Sequence, residues 1–320
     1  MIGPEATAPR PLVLGLDVGG TKLAAGVVDA SGTVHSFLVA PTLGDEGPEK
    51  VVERLLALGR QAVEAADVAW PAVEAVGIAC GGPLDAARGV VSPPHLPRWH
   101  DVPLRAVAER AYGLPVVLDN DATAAAAGEH RYGAGAGVTN MVYLTVSTGV
   151  GGGVIVDGRL YRGSDGNGAE LGHVTVDWRG RACRGCGRRG CLEAYVSGTA
   201  IAERAHEAGL ACGTAEEVAA AALNGDEGAS RVWDETVEAL ACGLTSIVNL
   251  FEPGLVVIGG GVSRSGELLL APVRERVRAE AMTPAGKTVE IVAAALGDRV
   301  GVVGAAAIVL EPHAHDLRDA

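Results

Sequence analysis

Two hydrophobic periods succeed one another along this chain, and the places where one gives way to the other mark its elements. Leu12 to Val18 is an apolar run ending in Gly19-Gly20, and Leu23 to Asp29 and Thr33 to Val39 follow, each bounded by turn residues. That pattern predicts a three-stranded meander. From Pro48 to Asp67 the apolar positions Val51, Val52, Leu55, Leu56, Leu58 and Val63 recur at helical spacing behind an early proline. Val73 to Cys80 predicts a buried strand, Val102 to Tyr112 a helix, Pro115 to Leu118 a short strand, and Asp121 to Tyr132 an alanine-rich helix. Strands alternating with helices predict an α/β fold.

The pattern then starts again. Met141 to Ser147, a glycine-rich turn at Gly149 to Gly153 and a strand ending Ile155-Val156-Asp157 repeat the earlier strand, glycine turn and strand ending Val27-Val28-Asp29, 128 positions on. This self-similarity predicts two related halves facing each other across a cleft, each with a glycine hairpin pointing into it; two unrelated hairpins are the alternative. Helices from about Ser197 to Leu223 and Ser230 to Phe251 are expected next. A strand at Leu255 to Ile258, a helix at Leu268 to Met282, a strand at Val289 to Ala294 and a last helix at Val300 to Leu310 complete the reading. The expected division is an N-terminal α/β domain over 12–120, completed by a C-terminal helix at 300–312, and a C-terminal α/β domain over 121–299.

Composition and charge narrow the classes. The 320 residues include 46 glycines, about 14% against an average of roughly 7%, and aromatics make up only 3%. With 48% hydrophobic residues and no G-X-Y period, the chain is neither collagen-like nor disordered. Its net charge is −13 and no block of Lys or Arg could neutralise a run of phosphates, which argues against a nucleic-acid partner. The apolar stretch from Val300 to Leu310 falls far short of the roughly 20 residues that span a bilayer. Residues 1–11 lack the apolar core of a signal peptide. The expectation is a soluble, cytoplasmic protein that meets no membrane. In it the backbone amides hold any anionic ligand, and the glycine excess serves that purpose.

Three glycine motifs compete as a phosphate site. A dinucleotide fold needs its glycines between a strand and a helix, whereas both hairpins here are followed by strands. A Walker A string ends in Gly286-Lys287-Thr288, but a helix precedes it and a strand follows, the reverse of the required context. The third reading is a pair of phosphate-holding hairpins. Asp17, Gly19, Gly20, Thr21 and Lys22 offer bare N–H groups, a hydroxyl, an ammonium and a carboxylate for Mg²⁺, and Thr148 and Gly149 offer the like from the second half.

His173, Cys183, Cys186 and Cys191 form H-x9-C-x2-C-x4-C, and three or four such N/S donors suit tetrahedral Zn²⁺. A basic loop with reduced thiols is the alternative, given Arg179, Arg181, Arg184, Arg188 and Arg189. Cys80, Cys212 and Cys242 sit in apolar or helical runs and are expected as core residues.

Together these residues resemble the ROK family of repressors and sugar kinases, from Leu12 onward. The resemblance rests on Asp17 to Lys22, Leu118-Asp119-Asn120-Asp121, Ser147 to Gly153, Glu170-Leu171-Gly172-His173, Cys186 to Glu193, and Leu255 to Val262. It implies a two-domain actin-like ATPase fold, a duplicated ribonuclease H-like architecture, and an ATP-dependent hexose kinase of glucokinase type acting on the 6-hydroxyl. Asp121 would be the general base, with a plain helix cap as its alternative role. Gly82, Asn120, Glu170, His173 and Glu193 would contact the sugar, Gly260 and Gly261 would lie near the adenosine, and a structural zinc would fix the His173 ring. Asp85, Asp119 and Glu129 are read as structural or as supports of the residues that touch the ligand. A homodimer or homotetramer is expected.

Three departures bear on this reading. The family usually has C-x-C-G where this chain has Cys183-Arg184-Gly185-Cys186-Gly187. A frequent Pro-Gly-Pro is here Gly81-Gly82-Pro83, and His95 stands where an Asn often precedes Leu-Pro. N-acetylglucosamine, N-acetylmannosamine and fructose kinases are the alternatives within the enzyme class, and a non-catalytic sugar sensor or repressor the one outside it.

Overall fold

The structure is a computed structural model that describes residues 11–311. Position 312 of the expected terminal helix, and the first ten residues read as lacking a signal sequence, lie outside them. The described chain divides into two units, residues 11–132, 164–167 and 298–311 forming the first and 133–163 and 168–297 the second.

The first unit contains β1 (Leu12–Val18), β2 (Lys22–Asp29), β3 (Leu38–Pro41), α1 (Pro48–Ala65), β4 (Val73–Cys80), the small hairpin β5 (Leu84–Asp85) and β6 (Val90–Val91), α2 (Leu104–Tyr112), β7 (Val116–Asn120) and α3 (Asp121–Tyr132). Its sheet runs β3-β2-β1-β4-β7. β1 pairs antiparallel with β2 and parallel with β4. The second unit contains β8 (Met141–Val146), β9 (Val150–Val156), β10 (Arg159–Tyr161), α4 (Glu193–Val196), α5 (Gly198–Glu207), α6 (Ala215–Leu223), α7 (Glu227–Phe251), β11 (Leu255–Gly259), α8 (Glu267–Glu280), α9 (Pro284–Thr288) and β12 (Glu290–Ala293). Its sheet runs β10-β9-β8-β11-β12, with β8 antiparallel to β9 and parallel to β11. The duplication read from two hairpins therefore extends to whole sheets. The chain then returns to the first unit as α10 (Val300–Leu310).

Three differences from the sequence reading have local causes. The expected strand at Thr33 to Val39 starts only at Leu38, because the Ser36 hydroxyl accepts the Val27 N–H at 3.1 Å and donates to the Ala62 carbonyl at 2.7 Å, interrupting the ladder. The second glycine turn is shorter than Gly149 to Gly153: Ser147-Thr148-Gly149 makes it, closed by the Ser147 N–H on the Gly149 carbonyl at 2.9 Å. Gly151, Gly152 and Gly153 are strand residues paired with Thr145, Leu144 and Tyr143. Finally, α3 packs against α10, so the division falls after Tyr132 and not between Asn120 and Asp121.

One face of the first sheet is covered by α1 and α2. Leu14, Leu16, Val51, Leu55, Ile78 and Leu104 pack there in one cluster. The opposite face carries α10, which is apolar on all sides and is pressed against β1, β4 and α3. A buried Val or Ile of this helix is worth roughly 1.5–3 kcal/mol against exposure. The approach is between backbones. A Cβ on Gly77 of β4 would stand 1.7 Å from the Ala305 carbonyl oxygen, one on Gly15 of β1 2.3 Å from that of Val302, and one on Gly304 2.4 Å from that of Ala124. Part of the glycine excess thus serves helix packing instead of phosphate binding.

In the second unit α7 supplies the core, with Trp233, Val237, Leu240, Leu244 and Ile247 buried beneath the sheet. The Asp226 side chain caps its start by accepting the Ala229 N–H at 2.8 Å. Among the described residues no helix is long and apolar enough to cross a membrane.

The Gly77 contact has a direct test. Gly77→Ala places a methyl group against a carbonyl that cannot move alone, and should cost about 1–3 kcal/mol or more in urea unfolding. Gly254→Ala, where a Cβ meets nothing nearer than 3.8 Å, serves as control. Equal midpoints for the two variants would refute the close packing.

Candidate functional site

The catalytic candidates of the first unit sit at the C-terminal ends of its parallel strands. Asp17 lies near the end of β1, and Asn120 and Asp121 span the junction of β7 and α3. Both aspartates are half-buried. Burial, reinforced by the negative charge of Asp121, pushes the Asp17 carboxyl up to about 7, with Lys22 pulling the other way. Burial also raises Asp121, against the Ala122 N–H and the His95 imidazole. One oxygen of each side chain at the junction is committed. Asn120 Oδ1 accepts the Ala122 and Thr123 N–H groups at 2.9 and 3.2 Å and so caps α3, and Asp121 Oδ1 accepts the Ala122 N–H at 2.8 Å. The amide NH₂ of Asn120 and the second oxygen of Asp121 are left for a ligand.

Gly82 lies against the Asn120 amide. A Cβ there would come within 3.2 Å of Asn120 Nδ2 and 3.9 Å of Asn167 Oδ1. Asn167, which sequence reasoning missed, brackets the Leu84 backbone, accepting its N–H at 3.0 Å and donating to its carbonyl at 2.8 Å. The His95 ring fills the space above Gly81 and Gly20, where a Cβ would approach it within 2.5 and 3.0 Å. In the first hairpin the Gly19 N–H is committed to the Lys22 carbonyl at 3.0 Å, while Gly20, Thr21 and Lys22 are exposed.

In the second unit the structure brings His173, Cys183, Cys186 and Cys191 together, one donor atom of each lying within 4.8 Å of the others. His173 turns Nδ1 to Cys183 Sγ at 3.7 Å and Nε2 toward Glu170 at 3.9 Å. Three thiols and an imidazole at this separation are a donor set that fits Zn²⁺. Glu193 joins the cluster to the hairpin, its Oε1 lying 3.3 Å from Cys183 Sγ and its Oε2 accepting the Val150 N–H at 2.9 Å.

The same hairpin opens on a pocket of about 900 Å³ lined by Ser147, Thr148, Thr199, Gly261 and Arg264 among others. The start of α5 faces it, where the Ser197 hydroxyl caps the helix by accepting the Ala200 N–H at 3.1 Å. Gly260 lies beside Gly261 at φ +88°, and a Cβ on it would meet the Val146 carbonyl oxygen at 2.3 Å. Only glycine suits that position. Cys80 is buried as expected, but Cys212 and Cys242 are half-buried, and Cys212 lines this pocket. The Walker A string forms the short helix α9, capped by the Thr283 hydroxyl on the Gly286 N–H at 3.0 Å.

The family model described as ROK family matches residues 13–312. The chain belongs to the ROK family. The glucokinase of Thermotoga maritima is 38% identical over 318 residues, covering 95% of this chain and 98% of its own length. The ROK hexokinase from Thermus thermophilus is similar in structure with a TM-score of 0.80 at 40% identity, over 97% of this chain and 100% of that one. A ROK family glucokinase from Streptomyces griseus, solved in complex with glucose and AMPPNP, has a TM-score of 0.79 at 38% identity, over 92% and 98% of the two chains. The expected actin-like α/β fold is therefore that of this ROK protein.

The carboxylate pair of this ROK chain makes its stability pH-dependent. Asp17 and Asp121 hold their protons more tightly folded than unfolded, so the folded state binds more protons between about pH 4 and 7 and loses stability as pH rises through that window. Asp17→Asn removes one of the two groups, and in the ligand-free protein it should gain on the wild type between pH 5 and 8. Urea unfolding at both pH values checks this; a wild-type to variant difference that stays constant would contradict it.

Proposed function

We propose that this chain is an ATP-dependent glucokinase that transfers the γ-phosphoryl group to the 6-hydroxyl of glucose. The observation that carries the reading is Asp121, half-buried at the start of α3 next to Asn120, with one carboxylate oxygen taken by the Ala122 N–H and the other left for a ligand. Similarity to glucokinases, one of them solved with glucose and AMPPNP, supports the choice of substrates.

Phosphoryl transfer needs positioning, neutralisation of charge and one acceptor for the hydroxyl proton. Asp121 takes that proton as the sugar oxygen bonds to phosphorus, and its raised proton affinity makes it a stronger base than an exposed carboxylate. Asn120 donates to the sugar through its NH₂, since its oxygen caps α3. Glu170, His173 Nε2 and Glu193 supply the remaining sugar contacts, and Gly82 leaves room for the ring. Gly20, Thr21 and Lys22 with Thr148 and Gly149 hold phosphate oxygens, while Gly260 and Gly261 shape the adenosine end. Mg²⁺, when bound, reduces the negative charge of the transferring phosphate, and Asp17 is the carboxylate that fits it. Zn²⁺ fits the 173–191 loop as a structural ion that would hold the His173 ring by Nδ1. We place the enzyme in the cytoplasm as a homodimer or homotetramer.

A coupled ADP-release assay over glucose, fructose, N-acetylglucosamine and N-acetylmannosamine tests the reading. Asp121→Asn should lower kcat by about 10²–10⁴-fold with glucose binding retained. Near-full activity of the variant would exclude Asp121 as base, and preference for an acetylated hexosamine would exclude glucose. Metal analysis should return one zinc per chain, and chelation should lower the melting temperature. A zinc-free preparation that melts like the untreated protein rules out the metal.

A further inference from the structure

We infer that Arg184 is a positioning residue for the phosphates of the bound nucleotide, delivered to the pocket by the metal-binding loop. This rests on reading the second unit's pocket as the nucleotide site. Arg184 lies between Cys183 and Cys186, two of the four residues of the cysteine and histidine cluster. The loop around it is tight, with the Cys183 N–H on the Arg188 carbonyl at 2.7 Å and the Gly187 N–H on the Cys183 carbonyl at 2.9 Å. The Arg184 side chain leaves that loop 77% exposed and lines the pocket that Thr148 and Thr199 also line.

Its partner there is Glu203, 2.5 Å away on α5. Glu203 stands about one helical turn after Thr199 on α5, whose N-terminal end faces the same pocket. That end attracts anions through its dipole, its Gly198 and Ala200 N–H groups being already committed to Ser147 and Ser197. Glu203 thus parks the Arg184 guanidinium one turn from where phosphate oxygens are drawn.

Charge makes this guanidinium necessary. The pocket is lined by Arg184 and Arg264 against Glu203, Glu207 and Glu216, and with Glu207 already paired it is Arg184 that keeps this lining from an acidic balance that disfavours a polyphosphate. Arg181 neutralises Glu207 through two hydrogen bonds of 2.6 and 2.7 Å. The Arg184 to Glu203 pair is largely exposed on the arginine side and holds weakly. A phosphate oxygen, which guanidinium matches with two parallel N–H bonds, outcompetes it. Arg184 then exchanges Glu203 for the nucleotide, and its cost of reorganisation is small because its anchor is the hydrogen-bonded turn of the cysteine cluster.

Calorimetric titration of the zinc-loaded enzyme with glucose present tests this, using Mg²⁺ with AMPPNP and, separately, adenosine. Arg184→Ala should weaken AMPPNP by roughly tenfold and leave adenosine affinity and zinc content unchanged, with Arg184→Lys recovering part of the loss. Equal AMPPNP affinity in wild type and Arg184→Ala overturns the inference, and so does an equal loss for adenosine or a loss of zinc, since either marks a structural role. Failure of the wild type itself to bind AMPPNP would instead bring down the nucleotide reading on which the inference stands.

Discussion

The closeness of α10 to the strands and helix beneath it is the constraint on which the first unit's site depends. Carbonyl oxygens of α10 occupy the space that side chains at Gly15 and Gly77 would fill, and Gly304 meets the Ala124 carbonyl in the same way. The helix therefore fixes β1, β4 and α3 at backbone distance, where no side chain can rotate to loosen them. β1 carries Asp17 and α3 begins with Asp121. The first turn of α10 itself reaches the Asp17 carboxylate, within 2.2 Å of a Cβ on Gly301. Two acids that would repel each other in ionised form are thus held by packing that neither supplies.

In the second unit the corresponding constraint is one carboxylate. Glu193 touches the cysteine cluster with one oxygen and the hairpin with the other. The cysteine cluster and the second hairpin thereby share a single side chain, so that a disturbance of either is felt by the other through Glu193.

The long elements were legible because their signals are local. The boundaries of β1, β4, α3 and α10 can be read directly from apolar runs punctuated by Gly, Pro and the Asn120-Asp121 step. The hairpin of β5 with β6, and β10, carry two or three residues per strand and owe their form to pairing, which leaves no period to detect. Asn167 is invisible for a related reason: its partner Leu84 lies 83 positions away, and nothing in its own neighbourhood points there. The cysteine cluster could be found because its spacing is itself the signal. The glycine excess divides between roles that composition cannot separate, since a glycine under a phosphate and one under a helix count alike.

The return of α10 to the first unit also orders the birth of the molecule. About 180 residues lie between the end of α3 and the end of α10, on the order of ten to forty seconds of synthesis. Throughout that interval the face of the first sheet that carries Val13, Ala24 and Val28 has no cover. The second unit, whose strands and helices are all made by then, is complete before the unit that precedes it on the chain.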